Sequence, residues 1–152
     1  MEIILKYEGG YVFDKQDPGG ETKYGISKKA FPETDIKNLT LEEAKKIYKD
    51  KYWDKINGDA LPYHIALSVF DFSVNAGTGM ASLVLQKCLC VLADGHIGGK
   101  TVRSAAETDK ITIINKYAVE RVMFYTSLPT FKTYGHGWVA RTLSTLTLAL
   151  KG

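Results

Sequence analysis

The sequence predicts an all-α, mainly helical fold with one short β-hairpin. Three observations carry that prediction. Thr40-Leu41-Glu42-Glu43 reads as a capping box ahead of apolar residues at helical spacing. Residues 63–76 are apolar nearly all round, as in a helix at the centre of a fold. The last third of the chain shows helical periodicity on either side of Pro129. At 152 residues with 45% hydrophobic content, the chain suits one compact domain or one domain with two lobes.

Taken in order, residues 2–8 read as a short helix that stops at Gly9-Gly10, where glycines accept the backbone of a helix end. The Gly-, Asp- and Pro-rich stretch 9–22 reads as an ordered loop, and 23–27 as a short strand or hairpin end. From Thr40, the residues Leu41, Ala44, Ile47, Tyr48 and Tyr52 fall on one helix face, and Asn57-Gly58-Asp59 ends the segment. Pro62 opens the apolar helix 63–76. The next helix starts at Thr78 or Gly79 and carries Leu83, Val84, Leu85, Leu89 and Leu92. Ala93-Asp94-Gly95 is a turn, and Gly98-Gly99-Lys100-Thr101 leads into a short helix near 101–107. A long helix over about 109–128 carries Ile111, Ile114, Ala118, Tyr125 and Leu128. A last one, about 138–150, places Val139, Leu143, Leu146 and Leu150 on one stripe.

Composition narrows the function. A formal net charge of +3 suits an anionic surface such as bacterial cell wall, and is too weak to point to nucleic acid. Cys88 and Cys90 point to different faces of a helix, so a mutual disulfide is not expected and both read as small apolar residues. The N-terminal run Met1–Lys6 does not have the length or cleavage site of a signal peptide, and no stretch reaches the roughly 20 apolar residues of a membrane span. The expectation is a monomer made in the cytoplasm, without membrane insertion, that reaches the wall after release or by non-classical export.

The most distinctive chemistry lies around Glu8, at the end of the first predicted helix. The negative end of a helix dipole disfavours a carboxylate there, which raises the pKa and suits a general acid. Asp17, within Asp17-Pro18-Gly19-Gly20, can be folded back as a second carboxylate, and Thr22 and Tyr24 follow closely. Glycosidases use such a pair: one group protonates the leaving oxygen, and the other activates water or attacks. A separation of about 5 Å belongs to retention and one of roughly 6.5–9.5 Å to inversion. By themselves, a Glu at a helix end and a Pro-Gly turn are also ordinary surface features.

The run Glu8-Gly9-Gly10-Tyr11-Val12, Asp14, Asp17-Pro18-Gly19-Gly20, Thr22, Tyr24-Gly25-Ile26-Ser27 resembles the opening motif of glycoside hydrolase family 108, a family of N-acetylmuramidases related to endolysins. The resemblance continues through Leu39–Ala44, Ile47-Tyr48, Tyr52-Trp53 and Phe70–Gly77. The second half is similar to the predicted peptidoglycan-binding region of that family, in Leu85-Gln86, Ala93–Thr101 and Gly137–Arg141. The resemblance implies a lysozyme-like fold, with a catalytic lobe at 1–84 and a peptidoglycan-binding lobe at 85–152 of the same compact unit. It implies cleavage of the β-1,4 bond between N-acetylmuramic acid and N-acetylglucosamine, with Glu8 as acid and no cofactor. The Glu, Asp, Thr order is similar to that of phage lysozymes, where Asp and Thr hold the attacking water, and this extends to Asp17 and Thr22. Phe13 and Lys15 depart from the family's usual Asn and Pro, Tyr7 from a frequent His, and Gly99 from a frequent Pro.

Among the aromatic residues, Tyr11 and Tyr24 are expected to line the sugar cleft, and Tyr52 to fill the core. Asn75 either bonds a sugar acetamide or caps the turn at Gly77. Asp71, if buried, needs a partner, with Arg121 and Arg141 as candidates. His96 and His136 have no ligand-type neighbours, so no metal site is expected. Trp138 reads as a packing anchor. Two rival activities share these features: a lytic transglycosylase, and a non-catalytic wall-binding or secretion-accessory protein.

Overall fold

The computed structural model describes residues 12–13, as backbone only, and residues 20–152. The predicted helix 2–8 lies outside them. The chain divides into two compact units, Met1–Lys51 and Tyr52–Gly152. The expected lobe boundary between 84 and 85 falls inside a continuous helix, Thr78–Cys88.

In the first unit, β1 (Val12–Phe13), β2 (Glu21–Lys23) and β3 (Ile26–Ser27) form an antiparallel sheet in the order β1-β2-β3. Three strands thus stand where one hairpin is predicted. Thr22 sits at the centre, opposite Val12 on one side and Ser27 on the other. The turn from β2 to β3 is Tyr24-Gly25, with φ of 51° and 74°. Positive φ at both turn residues matches the right-handed twist of the flanking strands.

α1 (Leu41–Tyr48) begins at the predicted capping box: Glu43 N–H donates to the Thr40 hydroxyl, and Thr40 N–H to the Glu43 carboxylate at 2.8 Å. The helix buries Ala44 and Tyr48, whereas Leu41 is exposed. The Tyr48 hydroxyl donates to the Tyr24 carbonyl at 2.9 Å, which ties α1 to the β2–β3 turn. Past Tyr48 the chain does not continue as α-helix to Tyr52; Lys49–Trp53 winds as a wider π-helix.

The second unit opens with a 3₁₀ turn, Gly58–Ala60. The Trp53 indole N–H donates to Asp59 at 2.8 Å, and its ring meets Phe70 edge-on at 5.5 Å. A Cβ on Gly58 would lie 2.5 Å from that indole, so glycine is what lets the ring pass. The helices are α2 (Tyr63–Ala76), α3 (Thr78–Cys88), α4 (Gly99–Glu107), α5 (Lys110–Thr126) and α6 (Phe131–Lys151). α2 packs against α3, α5 and α6, and buries Ile65 through Ser73 without a break, as its all-round apolar sequence predicts.

Several boundaries differ from the sequence reading. α4 starts two residues early, at Gly99. α6 starts at Phe131 instead of 138 and runs through Gly135 and Gly137. A Cβ on Gly135 would strike the Phe131 ring at 2.6 Å, so this glycine is favoured by packing where helix propensity disfavours it. The buried residues of α6 are Gly135, Thr142, Thr145 and Ala149; Leu143 and Leu150 of the predicted stripe are exposed, as is Ile111 on α5. α3 ends at Cys88, and Cys90 follows with φ of 56°, exposed rather than packed.

Candidate active site

Of the predicted site residues, Glu8, Tyr11 and Asp17 lie outside the described residues. Thr22 and Tyr24 share the small sheet of the first unit, and Asn75 lies near the end of α2 in the second. Thr22 is held by ladder pairing on both sides, so its backbone is fixed and its side chain is partly buried. Tyr24 is held in its turn by the Tyr48 bond, and the Lys23 ammonium lies 5.6 Å from its ring centre.

Asn75 does not cap the turn at Gly77. The Gly77 N–H closes the end of α2 on the Ser73 carbonyl, and the Asn75 amide instead donates to the Tyr125 hydroxyl at 3.1 Å. Tyr125 also accepts from Arg121 Nε at 3.1 Å. Arg121 Nη1 reaches the Asp71 carboxylate at 2.7 Å, and Arg141 Nε reaches its other oxygen at 2.9 Å. Thr145 donates to Asp71 at 3.0 Å. Both arginines foreseen as partners of Asp71 are therefore engaged. Burial opposes the Arg121 charge, but Asp71 and Tyr125 more than offset it, and the group stays above the usual guanidinium range. The guanidinium also sits 5.3 Å from the Phe72 ring centre and 5.5 Å from that of Tyr125.

On α6, beyond this network, Trp138 stacks on Tyr125 with centroids 4.9 Å apart, and Tyr134 lies 5.8 Å from Trp138. Tyr134 is 57% exposed. Trp138 packs as the anchor expected of it, but the sequence reading did not foresee Tyr125 and Tyr134 as its neighbours. The signal available was two aromatic residues four apart with glycines between them.

A second polar centre organises the α3–α4 loop. The Gln86 amide, 1% exposed, donates to Asp94 at 2.8 Å and to the His96 carbonyl at 3.0 Å, and accepts from Gly95 N–H at 2.9 Å. These bonds hold the Asp94-Gly95-His96 turn beside an open groove of about 440 Å³ lined in part by Leu92, Lys100 and Thr101.

Residues 1–77 match the family model described as glycosyl hydrolase 108. The chain belongs to the glycosyl hydrolase 108 family. Residues 80–143 match the one described as a predicted peptidoglycan domain. Among solved structures, the chain is similar to Brucella abortus SagA, with 34% identity and a TM-score of 0.89 over 99% of this chain and 91% of that one. No curated protein matches it.

The lysozyme-like, mainly helical fold expected of a glycosyl hydrolase 108 member is the one observed. The glycosyl hydrolase 108 match ends at Gly77, whose φ of 86° turns the chain from α2 into α3, and the peptidoglycan match begins within α3. The Tyr134, Trp138 and Gln86 centres all fall in the second match, and Thr22, Tyr24 and Asn75 in the first. Among the described residues, no helix is long and apolar enough to cross a membrane.

Proposed function

We propose that the chain is an N-acetylmuramidase of the peptidoglycan glycan strand, cleaving the β-1,4 bond between N-acetylmuramic acid and N-acetylglucosamine. The observation that carries this reading is the glycosyl hydrolase 108 match over 1–77, which contains Glu8-Gly9-Gly10-Tyr11 and Asp17-Pro18-Gly19-Gly20, followed directly by a predicted peptidoglycan domain. Glu8 gives its proton to the departing glycosidic oxygen. Water bonds to the anomeric carbon as that bond breaks, and its proton passes to Asp17. Thr22 helps place the water, and its fixed position at the centre of the sheet supports that role. Tyr11, Tyr24 and Asn75 contact the sugars. No cofactor is needed, the protein works as a monomer, and it acts on the wall after release from the cytoplasm in the manner of an endolysin.

The test compares wild type with Glu8→Gln on outer-membrane-permeabilised bacteria and on purified sacculi. The expected result is that lysis is lost in the variant while sacculus binding persists. Equal lysis by the two proteins would remove Glu8 from the mechanism. Mass spectrometry of the products should show reducing muramic acid ends; anhydro-muramic ends would make the enzyme a lytic transglycosylase.

A further inference from the structure

The α6 face that carries Tyr134, Gly137, Trp138 and Arg141 follows i, i+3, i+4, i+7 spacing, so these four residues line one side of the helix. Its buried end is fixed by Arg141 on Asp71, and the Trp138 ring is fixed flat on Tyr125. Its outer end leaves Tyr134 57% exposed, tilted 39° from the Trp138 plane. Two large rings, one stacked on buried Tyr125 and the other largely in water, make a bent aromatic platform.

Gly137 supplies the argument that the platform serves a ligand. Glycine is a poor residue inside a helix, because it is the costliest to order. At Gly135 packing explains it, since a Cβ would strike Phe131. At Gly137 a Cβ would meet no described atom within 4 Å. Among the described residues, packing gives no reason for glycine there, whereas keeping the strip beside the two rings clear of any side chain does. The Tyr125 hydroxyl beneath Trp138 also holds the Asn75 amide, and Asn75 is itself exposed, so a hydrogen-bonding group fixed by the same tyrosine flanks the rings.

Aromatic faces beside a fixed amide suit a flat, partly apolar ligand with polar edges, and an N-acetylated pyranose has that chemistry. Tyr125, Tyr134 and Trp138 all lie within the predicted peptidoglycan match. We propose that Tyr134 and Trp138 form a stacking platform for an N-acetylated sugar of the glycan strand, with Gly137 keeping the strip open and Asn75 bonding the ring's substituents. This rests on the reading of the chain as a glycan-strand enzyme and places a sugar subsite on α6.

The chain has two tryptophans, and so two indole N–H signals in a nitrogen–proton correlation spectrum. Titrating the full-length Glu8→Gln protein with chitotetraose should shift the Trp138 indole and leave that of Trp53, bonded to Asp59, in place. Gly137→Gln should keep or raise the melting temperature yet bind purified sacculi roughly three- to tenfold more weakly, and the exposed Tyr134→Ala should weaken binding similarly. A role confined to packing would not separate binding from melting temperature in this way. An unmoved Trp138 signal at saturating sugar, or wild-type sacculus binding by both variants, would overturn the platform. Sacculus cleavage by wild type reports separately on the reading of the chain as a glycan-strand hydrolase: cleavage with an unmoved Trp138 signal sinks the platform alone, and a shifted Trp138 without cleavage sinks the hydrolase reading alone.

Discussion

The Asp71 carboxylate meets Arg121 at 2.7 Å with both side chains almost wholly enclosed, 2% and 3% exposed for arginine and aspartate. Asp71 also takes Arg141 at 2.9 Å, so one carboxylate from α2 joins α5 to α6. Removing a partner from a buried pair strands the remaining charge, which is why such pairs are costly to break even where they add little net stability.

Asp71→Ala takes the carboxylate away from the enclosed Arg121 guanidinium and is expected to lower unfolding free energy by about 3–5 kcal/mol. Arg121→Met leaves Asp71 paired with Arg141 and should cost less. Urea unfolding followed by circular dichroism measures both. An Asp71→Ala loss no larger than that of Arg121→Met would mean that the carboxylate is not the hub.

The Glu43 carboxyl lies below its ordinary value of 4.5, because the Thr40 backbone N–H and hydroxyl donate to it. A carboxylate depressed in the folded state is protonated more readily in the unfolded chain. Its contribution is thus complete above the ordinary value and is lost as pH falls through the lower folded one. Wild type should lose melting temperature more steeply than Glu43→Gln below pH 4.5. Parallel melting curves for the two proteins over that range would count against the capping box as a source of acid sensitivity.

Burial pushes the Cys88 thiol up to about 11, whereas Cys90 lies exposed two residues on, in the left-handed backbone region. The thiolate is the reactive form, so Cys88 should be inert in the native protein. A thiol-specific reagent at mildly alkaline pH should show one fast reaction that Cys90→Ser abolishes, with Cys88 reacting only on unfolding. Fast labelling of Cys90→Ser would show that Cys88 is reached from solvent.

What the sequence determined by itself was local or motif-borne. The Thr40–Glu43 box is closed within four residues, and the all-round apolar character of 63–76 can be satisfied only by a central helix. The need of a buried Asp71 for a cation was legible for the same reason, since an unpaired charge cannot be enclosed. The glycosyl hydrolase 108 motif around Glu8 is also a property of the chain read in order. Tertiary structure decided which face each helix turns inward. Periodicity alone favoured Leu143 and Leu150 on α6, yet Thr142, Thr145 and Ala149 are buried there, because Asp71 on α2 requires Arg141 and Thr145 opposite it. It also drew Asn75 away from the turn it precedes in sequence and onto Tyr125, fifty residues later. Local hydrogen bonds and spacing specify that a helix forms. The choice among its faces depends on what long-range packing sets against it, and that partner is not written in the helix's own residues.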